Sequence, residues 1–304
     1  MVNESLKIQT INYQNLKSNT IEIQNSEIEL LDNACKNFGF FNLVNHGLED
    51  QITQLFDFAE AFFALPQKEK EKVPRENRYG YVPNTSEALN LRRKTGKAEF
   101  IDLGLSDEIQ SVLLENSMQQ IHEYQNHGLM IASEVLKALG IKLGVSKSFF
   151  KQKMNNPQCR LRFLHYLPLN PGSEEYPLGA HTDYGLITLL ATDGVAGLEI
   201  QKKDGEWLPV NTPKGSLVVN LGDMLARWTN DRYCSTPHRA RIPKRSSRYS
   251  IPFFINPDPN VVIEVIDSCV SDRNLNRYKP ITAGAYLASR IDSDIEPYIE
   301  KDLA

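Results

Sequence analysis

The sequence predicts an α+β fold: a mainly β core of short strands, preceded by a helical N-terminal region. Two observations carry that prediction. Up to about residue 155 the apolar residues recur largely at helical spacing, whereas after Arg160 they fall into short runs separated by Gly, Pro, Asp and Asn. The second half lacks the strand–helix alternation of a βαβ array, so its strands read as a sandwich or a small barrel.

Taken in order, "SEIELLDNACKNFG" reads as a helix that opens with a capping box, Ser26 with Glu29, and stops at Gly39. "GFFNLVNHG" reads as a buried strand ending in a turn. "LEDQITQLFDFAEAFFAL" returns to helical spacing and closes at Pro66, and "KEKEKV" reads as a solvated charged segment. "NRYGYVPNTSEALNLRRKTGKAEF" shows no clean period and is expected to be irregular. A long helix follows from about Ser106 to Gly140, with a bend expected near Gly128. Then come seven strand-like runs: "CRLRFLHYLPL", "GLITLLAT", "GLEIQ", "EWLPV", "GSLVVNLGD", "RYSIPFFINP" and "NVVIEVI". "LEIQKKDGEWLPV" is a hairpin signal with Asp204-Gly205 as its turn.

Bulk properties narrow the function classes. The 304 residues carry 34 Lys plus Arg against 38 Asp plus Glu, a net charge of −4 with no basic half, so nothing favours nucleic acid. No apolar run approaches the ~20 residues of a membrane span, and the N-terminus has no secretory pattern. Cys35, Cys159, Cys234 and Cys269 are scattered without a C-x-x-C pair. They read as reduced thiols of a cytoplasmic protein. A monomer acting on a small molecule is the expectation.

The chemistry starts at "LGAHTDYGLITLL", where His181 and Asp183 stand two apart at the mouth of an apolar strand. On an extended chain they point to the same side. With six histidines and 38 acids, one such pair arises by chance and carries no weight alone. Weight comes from His238, 57 residues on in "STPHRARI". Two imidazoles and one carboxylate can occupy one face of a metal and leave the opposite positions open, as in non-haem Fe(II) sites. Arg248 and Ser250 repeat the i, i+2 spacing on another strand-like run. An inward guanidinium is costly unless it meets an anion, and its fork fits a carboxylate. The same metal donors also build hydrolytic zinc sites, but zinc hydrolysis has no need of an Arg-x-Ser anion clamp.

In these residues the chain resembles the Fe(II)- and 2-oxoglutarate-dependent dioxygenases of the isopenicillin N synthase-like family. "NACKNFGFFNLVNHGL", "AEAFFALPQKEKEKV", "GSLVVNLGDMLARWTND" and "RYSIPFFINP" follow that family's order over nearly the whole chain. The resemblance implies a double-stranded β-helix, or jelly-roll, core over 156–260, a mostly helical region over 1–155, and a C-terminal strand and helix over 261–304. It implies His181, Asp183 and His238 as iron ligands, and Arg248 and Ser250 as the clamp on the distal carboxylate of 2-oxoglutarate. Tyr166 in "LRFLHYLP" matches a family tyrosine that also reaches 2-oxoglutarate; the asparagine that plant members carry two positions earlier is Leu164 here. Cys234 stands where the family usually has an arginine.

The implied reaction consumes 2-oxoglutarate and O₂, releases succinate and CO₂, and oxidises a C–H bond of a metabolite. Asp183 favours hydroxylation, desaturation or ring closure over halogenation, since halogenating members lack this carboxylate. Two alternatives stand beside it: a 2-oxoglutarate-independent oxidase of the isopenicillin N synthase type, and a non-catalytic metal or 2-oxoglutarate sensor. That oxidase has a late glutamine, and this chain has none after Gln201.

The remaining candidates have blander readings. His46 is expected to be structural, His122 and His127 solvated, and His165 on the far face of its strand from Tyr166. Asn220 and Asp223 read as turn residues supporting the ligands. Tyr184, Arg227, Trp228 and Phe253 are possible pocket residues by position alone. Arg92, Arg93, Lys94 and Lys97 read as a solvated run that favours, if anything, a polar or carboxylated substrate.

Overall fold

The structure is a computed structural model that describes residues 7–75, 79–83, 98–105, 112–168, 178–241 and 246–295. Strand β1 (Gln9–Asn12) pairs in parallel with β2 (Phe40–Val44), and helices α1 (Tyr13–Leu16) and α2 (Ile21–Asn37) lie between them. Helix α2 buries Ile28, Leu31 and Cys35 along one stripe. It starts at Ile21, behind Thr20, so Ser26 and Glu29 lie inside the helix and form no capping box. No Gly or Pro interrupts residues 21–25, and Glu22 suits the first turn, so the helix extends through them. It ends where expected: the amides of Phe38 and Gly39 return to the Ala34 carbonyl at 2.9 and 3.0 Å, and Gly39 takes φ +60°.

Helix α3 (Glu49–Phe63) and the single turn α4 (Gln67–Lys70) follow. The charged segment is not wholly solvated. Lys70 is buried, with Nζ 2.7 Å from Glu99 Oε2 and donating to the Phe63 carbonyl. A buried ammonium requires an acid, and this one lies 29 residues further along the chain. The stretch expected to be irregular contains β3 (Gly80–Val82) and enters β4 (Ala98–Leu103), which pair antiparallel. All six β4 residues are buried, including Glu99 and Asp102. A strand buried on both faces shows no alternation to read.

Helix α5 (Val112–Lys142) runs through Gly128 as one helix and packs on the large sheet, where a Cβ on Gly128 would meet the Phe253 ring at 2.9 Å. The core strands are β5 (Cys159–Tyr166), β6 (Leu178–His181), β7 (Ile187–Thr192), β8 (Leu198–Gln201), β9 (Trp207–Pro209), β10 (Leu217–Leu221), β11 (His238–Ala240) and β12 (Arg248–Ile255). Together with β1–β4 they form an eight-stranded sheet, β1-β2-β10-β7-β12-β5-β4-β3, and a four-stranded sheet, β6-β11-β8-β9. This is the expected jelly-roll core. Strands β8 and β9 form the expected hairpin.

Only Val262–Ile263 of "NVVIEVI" is strand (β13), paired with β14 (Ile281–Thr282). Beyond it the Ile266 amide turns to the Trp228 carbonyl at the end of α6 (Asp223–Trp228), so the run does not continue as strand. Helix α7 (Ala283–Ile295) ends the described chain.

Strand alternation divides the large sheet's two faces. Phe163, Ile251 and Phe253 turn to the helices, and Phe58 of α3 meets Phe163 edge-on at 4.9 Å. The opposite face turns to the small sheet. There Phe40 and Val218 cluster with Leu198 and Ile200, and Leu164 and Tyr166 cluster with Ala240. The candidate site lies between these two sheets.

Candidate active site

His181 ends β6 and His238 begins β11, directly opposite one another, with ring centroids 4.3 Å apart. Asp183 follows two residues after His181, just past the end of the strand, and keeps the same side. One donor atom from each of the three lies within 4.8 Å of the others.

The hydrogen bonds around this trio orient its donor atoms. Nδ1 of His181 lies 2.9 Å from the Gly179 carbonyl, and Nδ1 of His238 lies 3.1 Å from the Thr236 carbonyl. A carbonyl only accepts, so each Nδ1 carries a proton, and Nε2 is the ring nitrogen that a metal would take. Asp183 Oδ2 accepts from the Thr188 hydroxyl at 2.6 Å and the Asn220 amide at 2.7 Å. Its Oδ1 is left facing His238 Nε2 at 3.8 Å. Burial pushes the Asp183 carboxyl up, but the adjacent His238 and His181 and the bonds from Asn220 and Thr188 outweigh it and hold it below the usual carboxylate value. Two imidazole nitrogens and an anionic oxygen within 4.8 Å of one another fit a divalent cation.

The loop beneath is tightly built. The Asp223 amide donates to the Asp183 carbonyl at 2.7 Å, and Thr182 Oγ1 donates to Asp223 Oδ2 at 3.1 Å. A Cβ on Gly222 would meet the Gly185 carbonyl oxygen at 2.2 Å and that of Asp183 at 2.8 Å, so only glycine lets the start of α6 approach this loop so closely.

Arg248 starts β12 opposite Tyr166 of β5, with its guanidinium 4.9 Å from the tyrosine ring. It is 2% exposed, and its Cδ would lie 3.4 Å from a Cβ on Gly197, next to the small sheet. That contact places it near Leu198, whose partner Ala240 is two residues from His238. Its Nε donates to the Val195 carbonyl at 3.2 Å, while Nη1 is buried without a hydrogen-bond partner. Among the described residues no acid pairs with it. A buried guanidinium in that state costs several kcal/mol, which an incoming carboxylate would offset. Ser250, also buried, lies on the same face, paired across to Leu164 and Thr192.

His46 is a core residue, its Nε2 on the Gly215 carbonyl and its Nδ1 accepting from the Leu48 amide. His165 sits on the far face, between Glu99 and Ser247 and stacked on Tyr249. His127 is exposed beside Gln51, whereas His122 is half-buried with Nε2 shielded from solvent, so it is not simply solvated. Asn220 supports Asp183 directly, and Asp223 supports its loop.

Two of the positional pocket residues fall elsewhere: Phe253 is buried against α5, and Trp228 against Phe149 and Phe150. Phe253 points to the helix side because its phase on β12 puts it there. Arg227 packs on Tyr278, and Tyr184 beside Asp183 packs against Arg290. Arg92, Arg93, Lys94 and Lys97 lie outside the described residues.

Sequence reasoning missed Arg160 and Arg162. Both are in phase with Tyr166 on β5, so the period of two already puts them on the face that turns to the small sheet.

A jelly roll holding a two-histidine, one-carboxylate donor set defines the class of mononuclear non-haem iron oxygenases. The comparisons agree. The 2OG-Fe(II) oxygenase superfamily profile matches residues 156–257, and that of the non-haem dioxygenase in morphine synthesis N-terminal region matches residues 8–127. The chain is 32% identical over 300 residues to the 2-oxoglutarate-Fe(II) type oxidoreductase hxnY of Emericella nidulans, covering 86% of this chain and 84% of that protein. It is 30% identical over 296 residues to a 2-oxoglutarate-Fe(II) type oxidoreductase of Aspergillus fumigatus, covering 88% of each.

Among solved structures, a full-length Neurospora crassa protein in complex with alpha-KG and thymine superposes with a TM-score of 0.84 at 26% identity, covering 96% of this chain and 98% of that one. A 2OG-Fe(II) oxygenase family protein from Caulobacter crescentus does so with a TM-score of 0.84 at 29% identity, covering 95% and 99%. The chain belongs to the 2OG-Fe(II) oxygenase superfamily. It is an Fe(II)- and 2-oxoglutarate-dependent dioxygenase that oxidises a small molecule.

Proposed function

We propose that His181, Asp183 and His238 hold the Fe(II), and that Arg248, Ser250 and Tyr166 hold the distal carboxylate of 2-oxoglutarate. The observation that carries this reading is the pairing of two groups: two imidazoles and a carboxylate gathered at one end of the site, and a buried guanidinium that no acid among the described residues pairs with at the other. When bound, iron and 2-oxoglutarate supply the oxidising power, with O₂ reduced as 2-oxoglutarate loses CO₂ to become succinate.

The chain's own residues supply geometry. The Gly179 and Thr236 carbonyls set the imidazole tautomers, and Thr188 with Asn220 turns one Asp183 oxygen toward them. Arg248 offers its Nη1 edge to an anion, Ser250 adds a hydroxyl, and the Tyr166 ring lies along the guanidinium. Ala98, Phe100, Leu164 and Ala240 make the adjoining wall apolar, which limits water near the reacting centre.

No helix among the described residues is long and apolar enough to cross a membrane, and the net charge of −4 gives no overall excess of positive charge to draw an anionic polymer. The test of function is decarboxylation of 2-oxoglutarate labelled at C1. Labelled CO₂ should appear only with Fe(II) and O₂ and be lost in Asp183→Ala. Release that ignores iron or survives that substitution contradicts the assignment.

A further inference from the structure

We infer that the substrate of this site carries a carboxylate, and that Arg160 and Arg162 on β5, gathered with Arg75 on Asp102, form the end of the pocket that binds it. The inference rests on the reading of the site above and names its substrate class.

Charge and position both lead there. Asp102 is fully buried and takes a two-pronged bond from Arg162, Nε to Oδ1 at 2.6 Å and Nη2 to Oδ2 at 2.7 Å. One such fork satisfies one carboxylate. Yet Arg160 Nη1 also lies 3.9 Å from Asp102, and Arg75 Nη1 lies 3.5 Å from it. No other acid among the described residues pairs with Arg160 or Arg162. Two guanidiniums therefore share one negative charge, with a third alongside, and Arg160 Nε is buried without a hydrogen-bond partner. Burial, and then the neighbouring Arg162, pull the Arg160 pKa down to about 10, which marks how poorly its charge is compensated. A structural ion pair needs only one of these arginines.

Both side chains pack on aromatic rings. The Arg162 guanidinium lies 4.0 Å from the Phe100 ring centroid and that of Arg160 lies 4.9 Å from Phe254. Their place relative to the candidate metal end follows from register. Phe254 pairs with Arg160 on one side and with Thr188 on the other, and Thr188 holds Asp183. Two strand spacings, about 10 Å, separate the backbones of Arg160 and Thr188, and both side chains turn to the same face. The cluster thus sits across the sheet from the candidate metal end, and a small acid anchored on it would extend its carbon skeleton toward that end. It is distinct from Arg248, which belongs to the opposite end of β12.

The test uses matched pairs: monocarboxylates such as hexanoate and 3-phenylpropionate, and their primary amides. Each is added anaerobically to the protein with Fe(II) and 2-oxoglutarate, and the shift of the visible charge-transfer band is titrated. At least one acid should bind tenfold or more tightly than its amide. Arg160→Gln leaves the Arg162–Asp102 fork in place and should remove that preference, while Arg160→Lys should restore part of it. Circular dichroism and the thermal midpoint confirm that both variants fold.

Acids and amides binding alike, no acid binding, or an undiminished preference in Arg160→Gln overturns the inference while leaving the iron and 2-oxoglutarate assignment intact. Failure of the band to form in the unsubstituted protein overturns that assignment, and this inference with it.

Discussion

Asn220 reaches across from β10 to donate its side-chain amide to Asp183 Oδ2 at 2.7 Å, and so decides which carboxylate oxygen faces the two imidazoles. The Thr188 hydroxyl holds the same oxygen, but from the strand that comes just after Asp183 itself. Asn220 is the bond that ties the acid to a distant part of the sheet. Asn220→Ala should weaken Fe(II) binding about 10- to 100-fold while the protein still folds, because such supporting bonds orient the ligand. Anaerobic Fe(II) titration measures this, and an unchanged affinity would show that Thr188 suffices.

Lys70 and Glu99 form a buried ion pair on the helix side of the sheet, where Tyr81 and His165 also bond to the carboxylate. Burial pushes the Glu99 carboxyl up, but the bonds from His165, Lys70 and Tyr81 prevail and hold it low. Lys70→Met would leave that charge buried without its ammonium and should cost about 3–5 kcal/mol. Lys70→Met with Glu99→Gln removes the charge and should recover part of the loss. Denaturant unfolding of both variants checks it; a single substitution as stable as the parent would contradict the pairing.

Asp102 makes stability depend on acid pH. Burial raises its pKa, yet Arg162, Arg160 and Arg75 together hold it below the ordinary value. A folded-state pKa below the unfolded one contributes stability that is present above about pH 4 and is lost as pH falls through the folded value. The thermal midpoint should therefore drop as pH falls below about 4. In Asp102→Asn the drop should be shallower, from a lower starting point at neutral pH. An equally steep drop in the variant would place the acid sensitivity elsewhere.

The site was legible in the sequence wherever spacing alone fixes direction. His181 and Asp183 share a side, as do Arg248 and Ser250, because a strand repeats every two residues. What they turn toward was not legible, since His238 reaches His181 only through pairing of β6 with β11. Lys70 looked solvated because its acid is far along the chain, and β3 and β4 looked irregular because burial on both faces erases alternation. Arg160 and Arg162 were in plain phase with Tyr166, but their meaning depends on Asp102, which arrives from another strand. The start of α2 was misplaced because a capping-box pattern is also compatible with a helix interior.

The central claim is that His181, Asp183 and His238 converge on one iron while Arg248 grips 2-oxoglutarate beside it. Anaerobic addition of Fe(II) and 2-oxoglutarate, monitored by visible absorption, tests it most directly. The unsubstituted protein should develop a charge-transfer band. His238→Ala should not develop it, and Arg248→Ala should need at least about tenfold more 2-oxoglutarate, the loss expected of a charge-assisted bond. A band that forms in His238→Ala at the same concentrations as in the parent would contradict the account.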